Sequence, residues 1–384
     1  MKLKPKKFIT YGHDFLIHGL RGKPGLRKTD VSVEDKVVSI IKEKYYDFGP
    51  TMAWEKLTEL HGIALSDETV RAIMIRHSIW KSKKRKRSEY HAWRDRRSAY
   101  GELQQFDGSY HDWFEGRNPA LPEACLLASI DDATGRLTKV IMGENESADA
   151  VFGFWRGYVE EVGIPVELYV DKFSTYKINH PAATDNQELM TQFKRAMRSL
   201  NAHLIFASSA EAKGRVERLF QTLQDRLVKE MRLAGINTIE AANVFLKETF
   251  IPWFNSRYAV IPKSNQDCHR KLDTLTAKKL DNIFSKHYVR GINNDFTVQF
   301  KNRFYQLEQI QPTTVFKTDK VLIEERLDDT IKIKYKDRYL NFFQLPERPK
   351  KIKLNPVILT THKSNYIPPI DHPWRQFRYG TVTS

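Results

Sequence analysis

The sequence predicts a multidomain α/β protein: an N-terminal helix-turn-helix, a ribonuclease H-like core and a small C-terminal β-barrel. Three observations predict it. At 384 residues the chain exceeds one average domain. The apolar spacing changes twice, from helical period to strand–helix alternation near Gly101, and to short alternating segments near residue 290. The charge also changes sign along the chain. Lys plus Arg minus Asp plus Glu is 23 − 12 = +11 for residues 1–100 and 9 − 16 = −7 for 101–200. It is 10 − 7 = +3 for 201–270 and 21 − 12 = +9 for 271–384, which sums to the formal net charge of +16. Basic flanks around an acidic middle suit a protein that grips a polyanion with its arms and holds divalent cations at its centre.

Residues 1–30 read as a basic, Gly-rich arm. Its "RGKPG" (Arg21–Gly25) is similar to extended minor-groove hooks, which makes Arg21 and Lys23 candidate DNA contacts; a plain linker is the other reading. Residues 31–80 form the helical domain. Val33, Val37, Ile40 and Ile41 recur at helical spacing, and a second helix from about Thr51 to His61 puts Leu57 and Leu60 on one face and ends at Gly62. A third helix starts at the N-cap Ser66 with Val70, Ile73 and Met74 inward. Arg71 and Arg76 on it are candidate DNA contacts of a helix-turn-helix, against the alternative of a structural bundle. The basic linker 81–100 contains "KSKKRKR", whose Lys83, Lys84 and Arg85 would track phosphates rather than read bases.

The core spans 101–270. "ELQQFDG" is a short strand ending in Asp107, and "EACLLASID" and "GRLTKVIMG" are strands of a hairpin joined by "DATG". Val151, Phe154, Trp155, Tyr158, Val159 and Val162 make an amphipathic helix. A strand "PVELYVD" ending in Asp171, a helix near Gln187–Leu200, the strand "AHLIFA" and a long helix containing Glu217 complete the series. Three antiparallel strands, then helix, strand, helix, strand and helix is the ribonuclease H-like order. Short alternating segments over 271–348 read as the barrel, a DNA-binding candidate, and 349–384 as an extended Pro-rich tail.

In such a fold the ends of the two strands lie side by side and the helix packs across them, so Asp107, Asp171 and Glu217 converge. Oxygen ligands of this kind suit Mg²⁺ or Mn²⁺, and two such ions serve phosphodiester chemistry. On the helix, Val216, Phe220, Leu223, Leu227 and Met231 form the buried stripe, with Lys213, Glu217, Gln221 and Gln224 on an adjacent polar face. Lys213, Arg215 and Arg218 are candidate phosphate contacts. A lone helical Glu beside Arg is otherwise an ordinary surface pair. Asp131 and Asp132 read as turn residues, against an auxiliary metal ligand for Asp132; His111 reads as a structural hydrogen-bonding group, against a contact to the scissile phosphate; and Cys268 with His269 reads as packing. The two cysteines, Cys125 and Cys268, make no disulfide framework, and no apolar run reaches membrane-spanning length.

"LQQFDGSYHDWFEGR", "LLASIDDATGRL", "LYVDKFSTY" and "AKGRVERLFQTLQDRL" resemble the core motifs of DDE transposases of bacterial insertion sequences, of the ISNCY type, related more distantly to retroviral integrases and Mu transposase. The resemblance covers nearly the whole chain, including "FNSRYAVIPKSNQDCHR", where Asn255 and Arg257 are either DNA contacts or helix-end braces. It implies a metal-binding catalytic triad of Asp107, Asp171 and Glu217 with two Mg²⁺ or Mn²⁺ ions. It also implies binding of terminal inverted repeats, nicking and strand transfer by a homo-oligomer on DNA, in the bacterial cytoplasm with the nucleoid. The Asp171-to-Glu217 interval holds 217 − 171 − 1 = 45 residues, more than in many DDE recombinases, with the excess placed in "KFSTYKINHPAATDNQ". Relatives of this type usually carry a further helix-turn-helix ahead of "FLIHGLRGKPG", near which this chain begins; weakened repeat recognition is the expectation. A repurposed, catalytically inactive DNA-binding protein is the alternative, and a stand-alone nuclease acting on hybrids a third.

Overall fold

The structure, a computed structural model, describes residues 29–82, 95–170, 186–206, 214–347 and 367–376. They belong to two units, Met1–Tyr90 and His91–Ser384. The predicted arm 1–28, the basic run from residue 83 to 94 and most of the tail lie outside the described residues.

In the first unit three helices enclose one core: α1 (Val31–Lys44), α2 (Pro50–His61) and α3 (Asp67–Arg76). Their ends follow from side chains. Asp30 accepts from the Ser32 amide at 2.8 Å, Ser66 accepts from the Thr69 amide at 3.2 Å, and Gly62 closes α2 in the left-handed region at φ 63°. Val37, Ile41, Leu57, Val70, Ile73 and Met74 are buried together. Leu60, expected beside Leu57, is 61% exposed because it sits in the last turn of α2, where the chain turns away at Gly62. The buried carboxylate of Glu34 ties α1 to α3, accepting from Arg76 Nη1 at 2.6 Å and contacting His77 Nε2 at 2.8 Å. These hydrogen bonds, His77 first and then Arg76, hold the Glu34 carboxyl below its usual range.

The second unit is built on a five-stranded sheet. Its strands are β2 (Leu103–His111), β3 (Ala124–Asp131), β4 (Leu137–Gly143), β5 (Glu167–Val170) and β6 (His203–Phe206), in the order β4-β3-β2-β5-β6. The β2–β3 and β3–β4 pairs are antiparallel; β2–β5 and β5–β6 are parallel. Helices α4 (Ala148–Glu161), α5 (Asn186–Ser199) and α6 (Gly214–Leu233) alternate with the later strands, which is the ribonuclease H-like order. A two-residue strand, β1 (Ala99–Tyr100), pairs in parallel with β7 (Ser264–Asp267).

Alternation along β2 sorts its side chains between two cores. Phe106, Cys125 and Leu127 face α4 and α5 with Trp155 and Phe193. Leu126, Ala128 and Ile130, the partners of Ser109, Asp107 and Gln105, face α6 with Val216, Phe220, Leu223 and Leu227. Past α6, α7 (Ile239–Phe245), a π-helical turn (Leu246–Phe250) and α8 (Ile251–Tyr258) follow one another directly. Asn243 and Asn255 on this rod each pair with β4: Asn243 exchanges two hydrogen bonds with Met142, at 2.7 and 2.9 Å, and Asn255 two with Leu137, at 2.7 and 2.9 Å. The spacing matches, since 12 helical residues span about 18 Å and 5 strand residues about 17 Å.

Two short helices, α9 (Thr274–Ala277) and α10 (Leu280–Ile283), lead to β8 (Lys286–Gly291), β9 (Thr297–Phe300), β10 (Arg303–Leu307), β11 (Lys320–Glu325), β12 (Ile331–Tyr335), β13 (Arg338–Tyr339) and β14 (Phe342–Leu345). Among the described residues the small β-barrel of the sequence reading is not shown. The strands make two antiparallel sheets, β14-β10-β9 and β13-β12-β11-β8, which share one core around Val298, Tyr305, Ile323 and Ile333 and meet through a single bridge, Ile292 to Val298. Alternation specifies each strand, but closure needs a continuous hydrogen-bonded ladder. Arg195 of α5 fastens this part to the core, donating to the carbonyls of Ile283 and Ser285, while Gln192 pairs with the backbone of His287 at 2.7 and 3.1 Å. A final short helix, α11 (Pro373–Gln376), lies in the tail.

Two stability predictions come from this packing. Gly101 adopts φ 80°, and a Cβ there would lie 2.3 Å from Nδ1 of His269. That ring is held by Asp267 at 2.6 Å and Tyr158 at 2.8 Å and has nowhere to move. Gly101→Ala therefore loses about 2 kcal/mol or more, read as a lower urea midpoint. The second concerns His287. Burial, and then the charge of Arg195, lowers its pKa to about 4 from 6.5. The unfolded chain takes up a proton as pH falls through 6.5 and the folded one does not until about 4, so this contribution is complete above pH 6.5 and is lost between 6.5 and 4. Urea midpoints should fall over that window in the native chain and less steeply in His287→Asn; equal slopes would contradict the assignment.

Candidate active site and nucleic-acid interface

Asp107 lies within β2 rather than at its end, a correction to the sequence expectation. The "DG" pair read as a terminus, yet β2 continues to His111, because β3 offers partners as far as Ala124. The β2–β5 pairing is shorter and covers only Leu103 to Gln105. Asp107, half-buried, thus stands just beyond the last rung shared with β5, on the face that looks towards α6.

Helix α6 is pinned along this face at two points. Gln105 Oε1 accepts from the Val216 amide at 3.3 Å, and Gln224 Nε2 donates to Ser109 Oγ at 3.1 Å. Four strand residues span about 13 Å and eight helical residues about 12 Å, so helix and strand run alongside each other with Asp107 between the pins. Glu217 follows the first pinned residue, in the first turn of α6, and is exposed. Glu217, Gln221 and Gln224 share the polar flank of the helix, and Gln224 shows that this flank borders β2. The first turn of a helix also favours a carboxylate through the unpaired amides there.

Among the described residues no three of His, Cys, Asp and Glu form a group that could hold a metal ion. Asp171, the third carboxylate of the expected triad, follows the last residue of β5 and lies outside the described residues. Two oxygen donors on the α6 face, Asp107 and Glu217, suit a hard cation. On the opposite face, towards α4, burial pushes the Cys125 thiol up, and the Glu146 and Asp107 carboxylates add to the shift. A cleft of about 820 Å³ lined by Tyr100, Arg136, Asn255 and Asp267 contains neither Asp107 nor Glu217.

The basic candidates divide. Lys213, next to α6, and Arg21, Lys23, Lys83, Lys84 and Arg85 lie outside the described residues. Arg218 is exposed on α6 one residue past Glu217. Arg215 reaches inward and pairs with Asp132 at 3.0 Å. In the N-terminal unit Arg71 pairs with Glu68 at 2.9 Å, and Arg76 holds Glu34 while 59% of its side chain stays exposed. Arg257 lies 5.9 Å from the centre of the Trp253 ring, with Arg226 at 4.9 Å from the same ring. Of the two roles open to Asn255 the structure shows the brace, its amide engaged on both sides by Leu137. His111 packs edge-on to Trp113, and Asp112 caps a turn through the Gly116 amide at 3.1 Å.

Sequence reasoning missed Gln105, and it read Asp131 and Asp132 as turn formers, with an auxiliary metal ligand as the other reading of Asp132. Both aspartates are fully buried. Asp131 accepts from the Gly101 and Thr134 amides, Gln104 and the Thr134 hydroxyl. Asp132 accepts from the Arg97 amide, Gln105 and Arg215. The signal was available in "ELQQFDG" and "ASIDD", where polar residues interrupt strands that are otherwise apolar; a buried polar residue needs a partner. Asn255→Ala, which strips two buried partners from β4, should cost about 1–3 kcal/mol of stability. It should leave the DNA affinity of the folded protein unchanged in a filter-binding titration.

No family model matches the chain. A putative transposase, y4bF, from Sinorhizobium fredii is 40% identical over 297 residues, 77% of this chain and 63% of that protein. The chain thus spans somewhat less than two thirds of that relative's length. The transposase for insertion sequence IS1202 from Streptococcus pneumoniae is 28% identical over 418 aligned positions, 95% of this chain and 84% of that one. Solved structures that match include a simian T-cell lymphotropic virus intasome, with TM-score 0.34, 14% identity, and coverage of 77% of this chain and 95% of that chain. Another is the HTLV-2 integrase catalytic core domain with magnesium, with TM-score 0.30, 15% identity, and coverage of 45% and 98%. Over 77% of its length the chain is similar in sequence to the putative transposase y4bF, and over 95% to the transposase for insertion sequence IS1202.

Proposed function

We propose that this chain is a DDE transposase that binds the inverted repeats at transposon ends, nicks them and joins the exposed 3′ ends to target DNA. The observation that carries the reading is the pinning of the Glu217 turn of α6 to β2 on either side of Asp107. Sequence relatives named as transposases support the same reading. Asp171 enters by register. In each β2–β5 rung the partners differ by 64, as in Gln105 and Tyr169, and Asp107 and Asp171 also differ by 171 − 107 = 64. Asp171 lies outside the described residues, and this equal spacing in sequence is what supports pairing it with Asp107.

Asp107, Asp171 and Glu217 would hold two Mg²⁺ or Mn²⁺ ions. Bound there, the ions would supply charge stabilisation at both the attacking and the leaving oxygen of a phosphodiester. The protein's own part is positional. The β2 ladder fixes Asp107, the first turn of α6 fixes Glu217, and Lys213 and Arg218 flank that turn with positive charge for the phosphates on either side. Arg21, Lys23, Arg71, Arg76, Lys83, Lys84 and Arg85 supply the arm, helix-turn-helix and linker contacts, and the C-terminal sheets, with the +9 charge after residue 270, a further DNA surface. Joining two ends requires them to be held together, which calls for at least two subunits.

Asp107→Asn, Asp171→Asn and Glu217→Gln should each abolish nicking and joining, by at least about a thousandfold, in a strand-transfer assay using the DNA that flanks the gene. Each should leave DNA affinity within twofold, since no basic contact is removed; near-native activity in any one removes that residue from the site. Affinity for terminal-repeat DNA should fall steeply with added salt through counterion release. Deleting residues 1–90 should abolish the preference for terminal repeats over random DNA. A core that kept the full preference would show that recognition lies elsewhere.

A further inference from the structure

Asp132 and the two side chains it holds form a closed circuit between the elements that carry Asp107 and Glu217. Its Oδ1 accepts from Gln105 Nε2 at 2.7 Å and from Arg215 Nη1 at 3.0 Å, and its Oδ2 accepts from the Arg97 amide at 2.8 Å. The same Gln105 amide turns its oxygen to the Val216 amide at 3.3 Å. Asp132 and Gln105 are both fully buried, and Arg215 is 22% exposed in its side chain. Gln105 precedes Asp107 by two residues on β2; Arg215 and Val216 immediately precede Glu217 on α6. The circuit Asp132–Gln105–Val216–Arg215–Asp132 therefore sets the distance between the strand and the helix turn that bear the two carboxylates.

We infer that Asp132 is a positioning residue of the active site: it holds the Asp107 strand and the Glu217 turn in the register needed to bind divalent cations, without binding one itself. The inference rests on the metal-carboxylate reading above. Coulombic geometry favours this division of labour. The Asp132 carboxylate is neutralised locally by Arg215 and has its oxygens occupied by three donors, so its charge is spent on the scaffold. Asp131 is met partly by its own turn, through Thr134, and otherwise by Gly101 and Gln104, and none of these donors is on α6. Asp132 instead reaches three separate stretches of chain, around Arg97, Gln105 and Arg215. Partners that orient metal ligands alter metal affinity about ten- to a hundredfold when changed.

The experiment measures the half-saturating Mn²⁺ concentration of the full chain without DNA, by electron spin resonance of free Mn²⁺, below the melting temperature of each variant. Absence of DNA separates the role of Arg215 here from any phosphate contact. Asp107→Asn is the reference and should lose most of the binding. Asp132→Asn, Gln105→Met and Arg215→Gln should each raise the half-saturating concentration about tenfold or more. Arg215→Lys should recover most of it, and Gln105→Met combined with Arg215→Gln should fall well short of the product of their separate effects, because both open one circuit. If Asp132→Asn does not fold, the Gln105 and Arg215 variants decide the matter. Native Mn²⁺ binding in the folded variants, with binding lost in Asp107→Asn, overturns the positioning role and leaves the metal reading standing. Native binding in Asp107→Asn overturns the metal reading itself.

Discussion

Two adjacent carboxylates, Asp131 and Asp132, are buried without exposure at the end of β3, and much of the core is arranged to satisfy them. A buried carboxylate is tolerated only when its lone pairs are met by donors, and seven hydrogen bonds from the described residues meet them here. Those donors come from the stretch before β1, from the β1–β2 bend, from β2, from the hairpin and from α6. The demand of one short turn thereby draws five parts of the chain to one place. The outcome is a strand and a helix locked in register at the end of the sheet where the chemistry is proposed.

Most helices were legible because their caps are local. Ser66 and Ser147 accept from amides three residues on, and Gly62 ends α2, each within reach of sequence spacing. The apolar stripe of α6 was likewise legible, with Val216, Phe220, Leu223, Leu227 and Met231 all buried. Features that depend on a distant partner were not. The length of β2 is set by β3, whose Ala124 lies opposite His111, and no residue near "FDGSYH" announces it. The C-terminal strands could be read from alternation, but whether they close depends on registers between strands tens of residues apart. In the candidate site Asp107 and Glu217 stood out by residue type, whereas the scaffold of Asp132, Gln105 and Arg215 is visible only once the 82 residues between Asp132 and Arg215 are folded away.

The distribution of charge fits this division between scaffold and surface. Arg215 and Arg195 are basic residues turned inward, onto Asp132 and onto backbone carbonyls, so they add little to the field outside. Burial lowers the Arg195 pKa to about 10, which is still far above neutral pH, so the guanidinium stays charged where it joins α5 to the C-terminal sheets. Arg218 is exposed on α6, and of Arg71 and Arg76 in the other unit the side chains are 41% and 59% exposed. Counting cations along the sequence therefore overstates what a polyanion meets, and the direction each side chain takes matters more than the total.

The paired asparagines on β4 have a consequence for how copies of this molecule can meet. β4 is an outermost strand of the sheet, and such a strand ordinarily offers a row of bare amides and carbonyls to any extended peptide that drifts past. Here Asn243 and Asn255 occupy both ends of that row, and the rod that carries them is held down by Phe250 and Phe254 in the core beneath. Recruiting a foreign strand at β4 means first prying off a helix. The sheet is thus blunted on this side against continuous growth from molecule to molecule.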